Sequence, residues 1–316
     1  MKRHRRSNWT QPVTRNNQFM GNITALNKLV IIGVGLIGGS FALALRNAGL
    51  AKHIVGVGRS RQNMQCALER GVIDEIATDM TSALHNADLV LLAMPVGQTT
   101  YIMTQIAPHL QANTIITDAG STKQDVIAAA RHHLSMQNRH HFVPGHPIAG
   151  TEQSGAQAAQ ADLYANKHVI LTPLPETSTE AVEQVNQLWQ ACGAQVSIMS
   201  ADEHDQILAA TSHLPHLLAF TMMNHINHNT SDLVNMLRFA GSGLRDFTRI
   251  ASSSPEMWRD ICLSNREALL EQIVGYQNEL STLQEMLKNN EGEALEKAFS
   301  QARSIRENWL KSKIEN

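Results

Sequence analysis

Lys28-Leu29-Val30-Ile31-Ile32-Gly33-Val34-Gly35-Leu36-Ile37-Gly38-Gly39-Ser40 is an apolar run that passes directly into a G-x-G-x-x-G turn. A short apolar run bounded by glycines reads as a buried strand, and Ser40 to Asn47 reads as the helix after it. In that setting each glycine has a physical use. Gly33 permits the tight turn, Gly35 lets a pyrophosphate approach the backbone, and Gly38 lets helix and strand pack closely. The first helical residues offer unpaired N–H groups to the anion. Gly33, Gly35, Leu36, Ile37 and Gly38 are therefore expected to hold a dinucleotide.

Outward from this turn, strand-like runs at His53 to Val57, Asp88 to Met94, Thr114 to Thr117 and His168 to Thr172 alternate with helix-like stretches at Arg61 to Arg70 and Lys123 to His132. That alternation predicts an α/β domain of the Rossmann type, a doubly wound parallel sheet with helices on both faces. From about Ala201 the strands give way to amphipathic stretches, which predict an all-helical C-terminal dimerisation domain. Met257 to about Lys288 reads as one long helix, whose apolar residues require either a second subunit or the rest of their own domain. The expected division is 1–26 as a tail, 27–199 as the dinucleotide-binding domain and 200–316 as the helical domain.

A chain of 316 residues with 43% hydrophobic content has room for a sizeable core and roughly two domains. Cys66, Cys192 and Cys262 lie far apart, which points away from a disulfide framework or zinc site and toward a reducing, cytoplasmic setting. The fifteen histidines fall in no metal-ligand spacing, so no metal is expected. No apolar run has the length of a membrane span. Lys2, Arg3, Arg5, Arg6 and Arg15 make the first 19 residues basic and leave the remainder mildly acidic. This segment reads as a disordered tail, or as an extension upstream of a start at Met20, rather than as a nucleic-acid arm.

At the end of the second strand, where an NAD site usually places an acid for the ribose hydroxyls, the chain reads Val57-Gly58-Arg59-Ser60-Arg61. Guanidinium groups grip phosphate in a forked, charge-assisted geometry. Arg59, Ser60 and Arg61 thus favour the 2′-phosphate of NADP, with NAD as the alternative if the arginines are merely solvated.

A second informative stretch, Gly145-His146-Pro147-Ile148-Ala149-Gly150-Thr151-Glu152-Gln153-Ser154-Gly155, is too broken for a helix and reads as a loop that presents an imidazole and a carboxylate. Together with the glycine turn it resembles the prephenate/arogenate dehydrogenase family, whose members decarboxylate a cyclohexadienyl alcohol oxidatively in tyrosine biosynthesis. The resemblance covers about residues 28 to 262, and the remaining helices match the family's dimer-forming domain in length and pattern. It implies a homodimer acting on prephenate or arogenate. The residues past 262 are too few for the regulatory or fused domains that some members carry.

The resemblance assigns His146 as the catalytic histidine. In Thr117-Asp118-Ala119-Gly120-Ser121-Thr122-Lys123 it assigns Ser121 to the substrate hydroxyl and the nicotinamide end of the cofactor, although a helix N-cap also explains a serine there. The segment through Pro95 resembles the family's wall beside the dinucleotide. Pro215 predicts a helix irregularity next to His213, the family's substrate-binding histidine. Arg249 matches the arginine that grips a substrate carboxylate, with Arg245 as a second candidate and Asp246 as a holder of either; the other reading is a surface ion-pair cluster. Glu152 is implied to orient or gate the site, or else to cap the next helix. Two other functions fit the first domain alone, a 3-hydroxyacid-type dehydrogenase and a non-catalytic NADP sensor. The former relies on a G-x-x-x-K motif, which has no match in the helical half.

Overall fold

The computed structural model describes residues 23–151, 153–230 and 232–314. Most of the basic tail and Glu152 lie outside the described residues. Near its end the stretch assigned to the tail already packs, since Leu26 is buried and bridges Ala51.

Strands β1 (Leu29–Ile32), β2 (Ile54–Val57), β3 (Glu75–Ile76), β4 (Leu89–Leu92), β5 (Ile115–Asp118) and β6 (Phe142–Val143) form one parallel sheet in the order β3-β2-β1-β4-β5-β6. Alternation along β1 explains why the whole strand is apolar. Leu29 and Ile31 enter one core with Phe41, Leu45 and Trp189, whereas Val30 and Ile32 enter another with Leu84, Met103 and Val126. Both faces are covered, so no position on the strand faces water. Helices α1 (Leu36–Asn47), α2 (Arg61–Glu69), α3 (Met80–Leu84), α4 (Thr99–Ile106), α5 (Gln124–His133) and α6 (Met136–His140) connect the strands. The chain winds outward from β1 to β3 and returns to β4, which makes the β1/β4 edge the topological switch where such sheets open a crevice.

After β6 the backbone leaves the main sheet at Pro144. β7 (Gly145–Pro147) pairs antiparallel with β8 (His168–Leu171), which pairs parallel with β9 (Gln195–Ile198). The loop expected from Gly145 therefore begins as a strand, with His146 opposite Ile170. Helix α7 (Thr179–Ala191) closes the first core, where Trp189 meets Phe41 and Tyr164 at ring separations of 4.5 and 5.0 Å.

The helical part runs through α8 (Ala201–Leu208), a wide π turn at Ala209–His213, α9 (Leu214–His228), α10 (Leu233–Leu237), α11 (Ser242–Thr248), a 3-10 turn at Arg249–Ser252, and α12 (Pro255–Ser264). Pro215 sits in the first turn of α9, so the expected irregularity falls just before it and ends at His213. The long helix expected from Met257 is two helices, because Asn265 leaves helical geometry between α12 and α13 (Arg266–Lys288). Its side chain binds elsewhere in the fold, as described below. The chain divides into two compact units, the first ending at Asn265 and the second consisting of α13 and α14 (Gly292–Ile314). Among the described residues no helix is long and apolar enough to cross a membrane.

Candidate active site

The glycine turn lies at the β1/β4 switch. Gly33 has φ +100°, and a Cβ there would stand 2.6 Å from the Ala93 carbonyl oxygen. A Cβ on Gly38 would press on the Gly33 carbonyl and on Ile31 at 2.7 Å, while Gly35 has open space within 4 Å. The turn is thus closed on the protein side and open where a ligand backbone would approach. Gly35 caps α1 without a side-chain bond, so the first helical N–H groups, from Leu36 onward, keep their donor capacity. These features fit a dinucleotide. At the tip of β2, Arg59, Ser60 and Arg61 are exposed. Ser60 Oγ accepts from Asn63 N at 3.2 Å and so also caps α2. Pro95 follows β4 at the same crevice.

Asn63, which the sequence did not single out, joins two parts of this crevice. Its amide donates to the Val34 carbonyl and accepts from Ala156 N, each at 2.7 Å. The glycine turn is thereby tied to the chain that follows the His146 segment.

His146 is seated by a buried ion pair. Lys123 Nζ donates to the Asp118 carboxylate and to the Gly145 carbonyl, the latter at 2.7 Å. Asp118 accepts in addition from Gly145 N at 3.0 Å and Gly120 N at 2.8 Å. Both polar groups of the Gly145 backbone are consequently held, and the next residue inherits the position. Burial raises the Asp118 carboxyl above its ordinary range, opposed by Lys123 and the two N–H donors. In the sequence Lys123 is legible only as the start of a helix. Its fully buried ammonium is visible only once β7 is placed beside β5.

Beyond His146 runs a chain of polar contacts that sequence reading also missed. His146 Nδ1 stands 2.8 Å from His204 Nε2, and His204 Nδ1 stands 2.8 Å from Asp205 Oδ1. Asp205 accepts from Lys123 N and Gln124 N, both at 2.9 Å, and so caps α5 from α8. Ser121 is therefore not the cap of that helix. Partly buried, it has no hydrogen-bond partner for its hydroxyl among the described residues. Burial first, and then His204, Lys123 and His213, hold the His146 imidazole well below the ordinary 6.5. The residue nonetheless keeps some solvent access.

His213, at the end of the π turn, is almost wholly buried, and burial pushes it down to about 4. Asn265 Nδ2 lies 3.1 Å from His213 Nδ1 and donates to the Asp205 carbonyl at 2.7 Å. The break between α12 and α13 thus places an amide that links His213 to the His204–Asp205 segment. Trp258 flanks this group, stacked on His216 at 3.7 Å and edge-on to His213 at 6.1 Å. Its buried indole N–H lacks a partner among the described residues.

Arg245 and Arg249 stand on α11 and the turn after it, both exposed, on elements packed against α9. Arg245 pairs with Asp246 at 3.7 Å, in an arrangement open to solvent. The described contacts join His146 and His213 through His204, Asp205 and Asn265. They do not bring Arg245 to that group. Among the described residues no three His, Cys, Asp or Glu side chains form a metal-ligand set.

A family model described as "Prephenate dehydrogenase, nucleotide-binding domain" matches residues 41–198, and one described as "Prephenate dehydrogenase, dimerization domain" matches residues 200–301. The chain is 38% identical over 280 residues to a prephenate dehydrogenase of Bacillus subtilis, covering 88% of this chain and 75% of that one. Over 285 residues it is 33% identical to a cyclohexadienyl dehydrogenase of Zymomonas mobilis, covering 90% and 96% of the two. A prephenate dehydrogenase from Aquifex aeolicus, solved in complex with hydroxyphenyl propionate and NAD+, superposes with a TM-score of 0.84 at 34% identity, covering 89% of this chain and 98% of that one. With a doubly wound domain, a helical partner segment and matches of this extent, the chain belongs to the prephenate dehydrogenase family.

Proposed function

We propose that this chain catalyses the oxidative decarboxylation of prephenate, arogenate or both with a nicotinamide dinucleotide, a step of tyrosine biosynthesis, and that His146 is its general base. The observation that carries the reading is the seat of the His146 imidazole between the Lys123–Asp118 pair and His204, where burial holds its pKa well below the ordinary histidine value. Oxidising the ring alcohol requires a proton to leave oxygen as hydride leaves carbon. A neutral imidazole takes that proton near neutral pH. The ketone that results is placed so that loss of the ring carboxylate as carbon dioxide yields an aromatic phenol, and aromatisation drives this second half of the reaction.

The residues that would hold the cofactor are Gly33, Gly35 and Gly38, the N–H groups of Leu36 and Ile37, and Pro95 in the wall beside the dinucleotide. When bound, it supplies the hydride acceptor. Arg59, Ser60 and Arg61 favour NADP through the 2′-phosphate, although the Aquifex relative was solved with NAD+. Ser121 would contact both the substrate hydroxyl and the nicotinamide end of the cofactor, which agrees with a side chain that no capping duty occupies. His213 binds the substrate, Arg249 grips a substrate carboxylate, Arg245 is a weaker second candidate for that grip, and Glu152 orients or gates the site. The segment matched by the dimerization model supports a working homodimer.

The test is reduction of NAD and of NADP with prephenate and with arogenate, each combination assayed separately. Turnover of at least one ring substrate and a higher kcat/KM with NADP are expected. No turnover of either substrate rejects the activity, and a clear NAD preference rejects the role given to Arg59 and Arg61.

A further inference from the structure

We infer that His204 and Asp205 are positioning residues that set which ring nitrogen of His146 carries the proton, leaving the lone pair on Nε2. The inference rests on His146 being the base and deepens that reading. An Asp205 carboxylate can only accept, so the 2.8 Å contact requires a proton on His204 Nδ1. A neutral imidazole carries one proton, which makes His204 Nε2 an acceptor. Its 2.8 Å partner, His146 Nδ1, must then donate. Neutral His146 is thereby confined to the Nδ1–H form, the minor tautomer of a free histidine in water, with Nε2 as its basic atom.

The chain of bonds is anchored firmly. His204 and Asp205 are fully buried, and Asp205 is fixed by the first N–H groups of α5 through Lys123 N and Gln124 N at 2.9 Å each. The orientation of His146 is thus referred back to the start of α5 and the buried Lys123, the elements that also hold Gly145. When Nε2 takes the substrate proton, the imidazolium donates from Nδ1 to His204, which donates in turn to the Asp205 carboxylate. The new positive charge is stabilised without another proton having to move. The charged or titratable groups around this pair are Lys123, Asp118, Asp205 and His213; burial keeps His204 itself low, with Asp205 opposing.

Histidine-selective 15N NMR of the unliganded wild-type protein, with the His146 signals identified by their loss in His146→Asn, reads the tautomer directly. A proton on Nδ1 and a bare Nε2 are expected near neutral pH, and a protonated Nε2 there overturns the inference. Kinetics of His204→Phe and His204→Gln give a second readout. His204→Phe removes the acceptor and is expected to lower kcat roughly 30- to 1,000-fold, with substrate KM and dinucleotide Kd changed less than about threefold. His204→Gln, whose amide accepts from His146 and donates to Asp205, is expected to restore at least roughly tenfold of that loss. Near-wild-type turnover of His204→Phe, or a loss in which KM and melting temperature move together and glutamine restores nothing, overturns the positioning role. If His146→Asn is itself active, the base assignment fails instead, so the two failures are told apart.

Discussion

A base that strips an alcohol proton near neutral pH has to be uncharged there, and the surroundings of His146 enforce this. Desolvation and the nearby Lys123 ammonium both disfavour the imidazolium, so the acid limb of kcat/KM is expected below the ordinary histidine value of 6.5. Activity falls as pH drops through the depressed value, because only the neutral ring accepts a proton. His146→Asn is expected to lower kcat by roughly two to four orders of magnitude with a small change in KM, the range for loss of a general base. Steady-state kinetics check this, and a mutant turning over near the wild-type rate removes His146 from the role. Arg249 is tested by the opposite signature. Arg249→Ala is expected to raise substrate KM at least roughly tenfold, whereas Arg245, whose partner Asp246 is equally exposed, matters less. Unchanged saturation of Arg249→Ala by substrate refutes the clamp.

At the scale of elements, the β1–α1 turn separates two kinds of glycine. A methyl group at Gly38 meets Ile31 at 2.7 Å and the Gly33 carbonyl, so Gly38→Ala is expected to cost about 1–3 kcal/mol of stability. At Gly35 nothing lies within 4 Å, and Gly35→Ala is expected to leave the melting temperature unchanged while weakening dinucleotide binding roughly tenfold or more. Thermal denaturation and cofactor titration of the two variants check the distinction. Equal destabilisation by both, with affinity intact, contradicts it. This turn was legible in the sequence because its signals are local, an apolar strand and fixed glycine spacing within thirteen residues. The supporting network was not. His146 meets His204 across 58 positions, Asn265 meets His213 across 52, and Asn265 meets Asp205 across 60. No periodicity encodes such pairings. Asn265 also looked like an ordinary residue of a long helix, and only its bonds to Asp205 and His213 explain why the helix breaks there. His146 itself was found through its motif, while its place on β7 depends on Pro144 turning the chain from one sheet to the next.

The same buried histidines make the stability of the whole molecule depend on pH. His213 sits at about 4 in the fold against 6.5 for an ordinary histidine, and His146, His204 and His216 are lowered as well. As pH falls through 6.5 the unfolded chain binds protons that the folded chain refuses, so stability is full above that value and declines until the folded value is passed. For the buried His213 alone the 6.5-to-4 difference corresponds to about 3 kcal/mol. Asp118 acts in the opposite sense, since its folded carboxyl is raised, whereas the lowered Asp74 and Asp79 add losses only at still lower pH. The expected result is a denaturation midpoint that drops steadily from about pH 7 to about pH 4.5, with a shallower slope in His213→Gln, which keeps a polar side chain but has no group to protonate. Urea titrations of both proteins across that range measure the difference. A slope that is no shallower in His213→Gln than in the wild type contradicts an uncharged His213 in the fold, whatever Asp118 adds in the opposite sense.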